Sequence, residues 1–320
     1  MSGSLARLIG LVGVLGLAAM PAADGIGQSQ QSGPYTVVAS GQRFAALQQA
    51  VNAIGGGRGT VAIAPGTYRD CAVQTVGEVA FVAQAAGQVL FDAAICEGKA
   101  ALVLRGRAAR VEGLVFQNQR IAEGNGAGIR LEHGSLIVRQ TWFRDSDQGI
   151  LSADDPAGTV LIEASTFSRL GRCDHGRSCA HSVYFGNYGT VLIRHSRFEA
   201  GRGGHYVKSR AAQIEVSDSS FDDAQGRQTN YMIDLSTGAS GLILGNWMVQ
   251  GRDKANPGAF ITNAAEGRTH SAEGLRIIGN VVRLAPGVAR SAAMVADWSG
   301  DPIHLGGNNI GAGIRRIEHH

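Results

Sequence analysis

The sequence predicts an all-β, single-domain parallel β-helix: a solenoid of short strands whose first coil is covered by an N-terminal capping helix. Three observations predict it. Glycine makes up 46 of 320 residues, with no collagen-like period. One short template recurs eight times, its copies 23 to 34 residues apart. A further short apolar strand precedes most copies. A period near 25 residues with variable insertions marks stacked coils rather than separate sheets.

The template reads apolar, any, apolar, two residues, Ser/Thr/Asn, any, then Phe or an aliphatic. Its clearest copies are Leu136–Val138 with Thr141 and Phe143, Val160–Ile162 with Ser165 and Phe167, Val191–Ile193 with Ser196 and Phe198, and Ile214–Val216 with Ser219 and Phe221. Later copies carry Asn246, Asn280 and Asn308 in the polar slot. Apolar residues at every second position define a strand with one face inward. The Phe and aliphatic anchors stack inside. The Ser/Thr/Asn slot forms an inward ladder that serves the turn backbone, where buried amides must find partners. The preceding strands are Gly128–Leu131, Gly149–Ser152, Ser182–Phe185, Tyr206–Ser209, Tyr231–Leu235 and Phe260–Asn263. Phe44, Leu47, Val51 and Ile54 follow helical spacing, and Gly55–Gly57 ends that helix. The expected organisation is a signal peptide over 1–23, an N-terminal segment with the capping helix over 24–59, the solenoid over 60–312 and a tail over 313–320.

Hydrophobic residues are 44% of the chain and charged residues 17%, which excludes a disordered chain. A net charge of +3 with no Lys/Arg block gives no support to a nucleic-acid partner. Arg7, the apolar run Leu8–Ala19 and small residues up to Ala23 read as an export signal. The mature chain is then a secreted or periplasmic bacterial protein, not inserted in a membrane, and monomeric. In an oxidising compartment Cys71 pairs with Cys96 and Cys173 with Cys179, by proximity. Zinc ligation by Cys173, His175, Cys179 and His181 is the lesser alternative, since the spacing matches no known finger.

In a solenoid, residues in one column of successive coils lie side by side, about 4.8 Å apart. Aligning the preceding strands turns Tyr184, Tyr206, Lys208, Arg210 and Asp234 outward, with Val183, Val207, Tyr231 and Ile233 inward. Tyr184, Lys208 and Asp234 fall in one outward column on three consecutive coils. His181 and His205 start two of these strands, and Arg130 and Glu132 lie two coils below Tyr184. Clustered titratable groups of this kind point to a binding or catalytic groove.

The capping helix, the strand after it and the run APGTY at 64–68 resemble the entrance of the pectate-lyase-like right-handed parallel β-helix superfamily, a resemblance that spans residues 35–312 and implies the right-handed coil. The run GHYVKSR at 204–210 is similar to the Lys-Ser element of the chondroitinase-B/alginate-lyase family. That resemblance implies Lys208 as general base. The family's assisting Arg sits on a neighbouring coil, where this chain brings Asp234; Arg210 is the nearby guanidinium, and a calcium ion is a candidate cofactor, with Glu132 and Asp234 as candidate ligands. The segments AHSVYFG, GHYVKSRA, NYMIDL and AEG also resemble uncharacterised bacterial β-helix proteins, which implies no reaction.

These residue types suit β-elimination on an acidic polysaccharide or oligosaccharide. The uronate carboxylate must be neutralised as charge develops, which fits Arg210. A base must take the C5 proton, which fits Lys208, and Tyr184 or His205 protonates the leaving oxygen. Return of the proton on the opposite face would give C5 epimerisation. A glycoside hydrolase is the alternative, with Asp234 and Glu266 as its two carboxylates. Tyr206, Glu266, Arg268, Arg130 and Glu132 are the expected substrate-binding residues. A non-catalytic glycan-binding solenoid is the third reading, with Trp142, Trp247 and Trp298 as sugar platforms.

Overall fold

The computed structural model describes residues 1–3, 33–174 and 178–320. The expected signal peptide, beyond its first three residues, and His175 lie outside the described residues. The template becomes two strands and the corner between them. Its apolar–any–apolar part is a strand of a first sheet, such as Ser135–Arg139, and its aromatic end a strand of a second, such as Trp142–Arg144. The strand ahead of the next copy, such as Gln148–Ser152, belongs to a third sheet. Coil after coil, each sheet grows by parallel pairing, to twelve, ten and ten strands. Among the strands of the described residues, only the first two, Tyr35–Val37 and Arg43–Phe44, join antiparallel.

Repetition at this spacing makes the core a set of stacks. On the second sheet Phe91, Phe116, Phe143, Phe167, Phe198 and Phe221 stack with centroids 4.7 to 5.5 Å apart. That is the strand spacing, and the stacked geometry suits aromatic quadrupoles.

The polar slot turns the corner between the first two sheets. Ser165 Oγ accepts from Thr141 N at 3.3 Å, Ser196 Oγ from Ser165 N at 3.2 Å, and Ser219 Oγ from Ser196 N at 3.0 Å. Asn246, Asn280 and Asn308 continue the ladder with amide oxygens at 2.9 to 3.0 Å. Each hydroxyl or amide thus serves a buried backbone N–H of the coil before it. The residue before the slot is left-handed, at φ 48° for Ala164, His195 and Asp218. Gly245 and Gly279 take that position on the first two Asn coils, at φ 65° and 66°, where glycine bears no Cβ penalty.

The helix spans Leu47–Ile54, and its Leu47, Ala50 and Val51 belong to the same continuous core as the coils. Leu47 N donates to Asp70 Oδ2 at 2.6 Å, satisfying one of the free donors of the first turn. Phe44, expected on this helix, lies instead in the short strand opposite Tyr35, because Ala46 is extended at φ −119° and the helix starts only after it. Residues expected as a tail carry the last strand of the third sheet, Ile314–His319, paired with Ala292–Asp297. Both expected disulfides, Cys71–Cys96 and Cys173–Cys179, are present. Among the described residues no helix is long and apolar enough to cross a membrane.

Candidate functional site

Parallel pairing on the third sheet brings the outward column together as the alternation predicts. Arg130 lies beside Leu151, Leu151 beside Tyr184, Tyr184 beside Lys208, Lys208 beside Asp234, and Asp234 beside Thr262. Lys208 Nζ reaches Asp234 Oδ2 at 3.3 Å and also donates to Glu266 Oε1. Arg210 donates from Nε to the Tyr184 hydroxyl at 2.9 Å and from its terminal nitrogen to Glu266 Oε2. The Lys208 ammonium lies 5.6 Å over the Tyr184 ring. One cluster therefore holds Tyr184, Lys208, Arg210, Asp234 and Glu266.

The cluster has two layers, a depth that strand alternation does not give. Lys208 and Asp234 face away from the core, as expected, but are not open to solvent, at 6% and 2% exposure. Glu266 stands on Lys208, while Thr262 Oγ1 and Ser236 Oγ donate to the two oxygens of Asp234 at 2.8 and 2.7 Å. The open layer is Arg210 and Glu266, with side chains 30% and 43% exposed, and the half-buried Tyr184. Sequence reasoning missed Ser236 and Thr262. Carrying the column one coil past Asp234 would have found Thr262.

The two histidines lie beside the cluster, His181 edge-on to the Tyr184 ring and His205 next to Asp234. Their rings stack at 5.0 Å, and the Tyr231 ring lies 5.4 Å from that of His205, tilted against it. His205 N donates to His181 Nδ1 at 3.0 Å, which places the proton of the neutral His181 ring on Nε2. His205 Nε2 lies 3.5 Å from Asp234 Oδ2, and its Nδ1 has no hydrogen-bond partner among the described residues. Gly204 permits this approach, since a Cβ there would sit 2.0 Å from the Ala180 carbonyl oxygen and 2.7 Å from His181 Nδ1. Burial first holds both imidazoles well below their ordinary range; His205 and Lys208 add to this at His181, and Lys208 and Lys254 at His205.

Two tyrosines take the opposite side from the one alternation predicts. Tyr206 points into the core and donates to Asp223 Oδ1 at 2.6 Å; it is 1% exposed and has no surface to offer a substrate. Burial and the Asp223 carboxylate push its phenol well above the ordinary range. Tyr231 lies on the outer side, against Ala259, Ala293 and Ala296. The strands start at Val207 and Ile233, one or two residues later than expected. Tyr206 and Tyr231 therefore sit on the bend, where period two does not apply.

Three further expected binding residues stand apart from the cluster. Arg268 pairs with Asp301 on the next coil. Arg130 and Glu132 lie two coils from Tyr184, about 10 Å by strand spacing. Glu132 is held by Lys99 and Arg105. A calcium ion does not fit: both Asp234 oxygens are taken by hydroxyls and Lys208, and both Glu132 oxygens by cations. The Cys173–Cys179 bond likewise removes the thiolates that a zinc site would need. Of the tryptophans, Trp247 is 42% exposed on the second sheet, Trp142 donates to Ser168 Oγ, and Trp298 stacks on His320 at 4.0 Å.

No protein family and no curated protein matches the sequence. Three solved structures match over 85% of the chain. ORF18 of Geobacillus virus E2 is 14% identical with a TM-score of 0.48, over 85% of this chain and 56% of its own; the chain thus spans little more than half of that protein. PfbA, a surface adhesin of Streptococcus pneumoniae, is 10% identical with a TM-score of 0.47, over 85% and 88%. A PL6 alginate lyase in complex with a trisaccharide is 11% identical with a TM-score of 0.19, over 85% and 86%. At these scores the likenesses carry no function across.

Proposed function

We propose that this chain is an exported carbohydrate-active enzyme that cleaves a uronate-containing polysaccharide by β-elimination at the outer face of the third sheet. One observation carries the reading: Tyr184, Lys208 and Asp234 occupy one register column on consecutive coils, with Arg210 bonded to the Tyr184 hydroxyl. Arg210 neutralises the substrate carboxylate. The amine form of Lys208 takes the C5 proton, and the C5–H electron pair becomes the C4=C5 double bond. The C4–O bond breaks, its electrons go to the departing oxygen, and the Tyr184 phenol protonates that oxygen. Tyr184 suits this role because it accepts from Arg210 Nε, which leaves its own proton free to donate. The right-handed coil, the helix as a cap and the export of the chain belong to the same reading and rest on the sequence resemblance and the N-terminal pattern.

A specific contact favours a second reading. Asp234 and Glu266 both bind Lys208 Nζ, so two carboxylates flank one point, as glycoside hydrolysis needs. A panel of uronate polymers, followed by ultraviolet absorbance of the unsaturated uronate and by reducing ends in parallel, separates the two. The lyase reading expects both signals together. Reducing ends without new absorbance support the hydrolase, and neither signal with polymer retained supports a binding solenoid.

A further inference from the structure

We propose that the Glu266 carboxylate is an internal stand-in for the substrate's carboxylate: it fills a carboxylate-binding site built by Lys208 and Arg210, and a uronate binds by displacing it. The inference rests on the lyase reading for the identity of the ligand and on the geometry of Glu266 for the site.

The two oxygens of Glu266 are divided between two cations, Oε1 to Lys208 Nζ and Oε2 to Arg210. A uronate carboxylate arriving at the resting pair would make the same two contacts, and loss of the Lys208 proton to solvent then leaves Arg210 as the cation on the carboxylate and the Lys208 amine as the base. The site beneath is built rather than incidental. The Lys208 side chain is 8% exposed and fixed from below by Asp234 at 3.3 Å. Arg210 is fixed from the side by the Tyr184 hydroxyl at 2.9 Å. Without Glu266, the two cations face the single carboxylate of Asp234, and one positive charge is left uncompensated.

Glu266 is placed to leave. It is the most exposed charged side chain of the cluster, at 43%. It sits on the segment between the strands Ala259–Asn263 and Arg276–Ile278, not in the register column. Its backbone is pinned independently of the carboxylate: Glu266 N donates to Ser236 O at 2.8 Å, and Thr269 N to Thr237 O at 2.9 Å. The next residue, Gly267, at φ 115°, has nothing within 4 Å of where a Cβ would stand. Rotation about the Glu266 side chain therefore uncovers Lys208 without moving the coil.

The test is binding of galacturonate, with galactose as the neutral control, to the full chain and to Glu266→Ala and Glu266→Gln, read by calorimetry. Both variants are expected to bind galacturonate about tenfold more tightly than the parent, with galactose unchanged, and adding Arg210→Ala to Glu266→Ala is expected to remove the gain. Galacturonate binding that is unchanged or weaker in both variants overturns the proposal, as does an equal gain for galactose, which would mean only a wider groove. Calorimetry needs no turnover. A chain that makes unsaturated product but gains no affinity in the variants overturns the stand-in alone. A chain that gains affinity but makes no unsaturated product overturns the lyase reading alone.

Discussion

The inner column of the second sheet and the outer column of the third are spaced by the same strand pairing but filled in opposite ways. Six successive coils place Phe at one inner position, from Phe91 to Phe221. The outer column runs Arg130, Leu151, Tyr184, Lys208, Asp234, Thr262, with no residue type repeated. A stack gains from likeness, because equal rings fill equal layers. A site gains from difference, because acid, base and cation must be distinct groups. The solenoid supplies the spacing to both, and the proposed chemistry centres on the column that departs from the repeat.

Breaking the inner column should cost stability and leave chemistry alone. Phe167→Ala opens a hole in the middle of the stack and is expected to lower unfolding free energy by about 3–5 kcal/mol, measured in urea. Activity per folded molecule should hold, since Phe167 lies on another sheet. Asn246→Ala tests the corner ladder. Its amide oxygen accepts from Ser219 N and its nitrogen donates to Val216 O, both buried, so the loss should be about 1–3 kcal/mol.

Acid sharpens the comparison from the other side. His181 and His205 have no counterpart in the Phe stack, and both are held neutral by burial. Below about pH 6.5 the unfolded chain takes up protons that the folded imidazoles refuse. Their contribution is thus a loss of stability that begins as pH falls through the unfolded value and continues down to the depressed folded values. The drop in urea midpoint between about pH 7.5 and about pH 5.5 should be larger in the parent chain than in His205→Gln. An equal drop in both would mean that His205 does not titrate as its burial requires.

Repeated features were legible in the sequence, and depth was not. The template carried the strands, the Phe stack, the Ser-to-Asn ladder and the register of Tyr184, Lys208 and Asp234. It did not carry the bends, so Tyr206 and Tyr231 took the wrong sides. It also could not show that residues facing outward are covered. Lys208 lies under Glu266, a residue 58 positions further along the chain, brought back by two turns of the coil. The Phe44 misplacement has the same origin, since a single extended residue, Ala46, moves the start of the helix past it.

The claim that the outer column performs chemistry and the inner one only holds the coil is tested most directly with Lys208→Ala. Asp234 keeps its bonds to Ser236 and Thr262 in that variant, so its urea midpoint should fall by less than that of Phe167→Ala. Its rate of unsaturated-uronate formation should fall by about 10²–10⁴-fold. A Lys208→Ala chain that forms the product at the parent's rate would contradict the account.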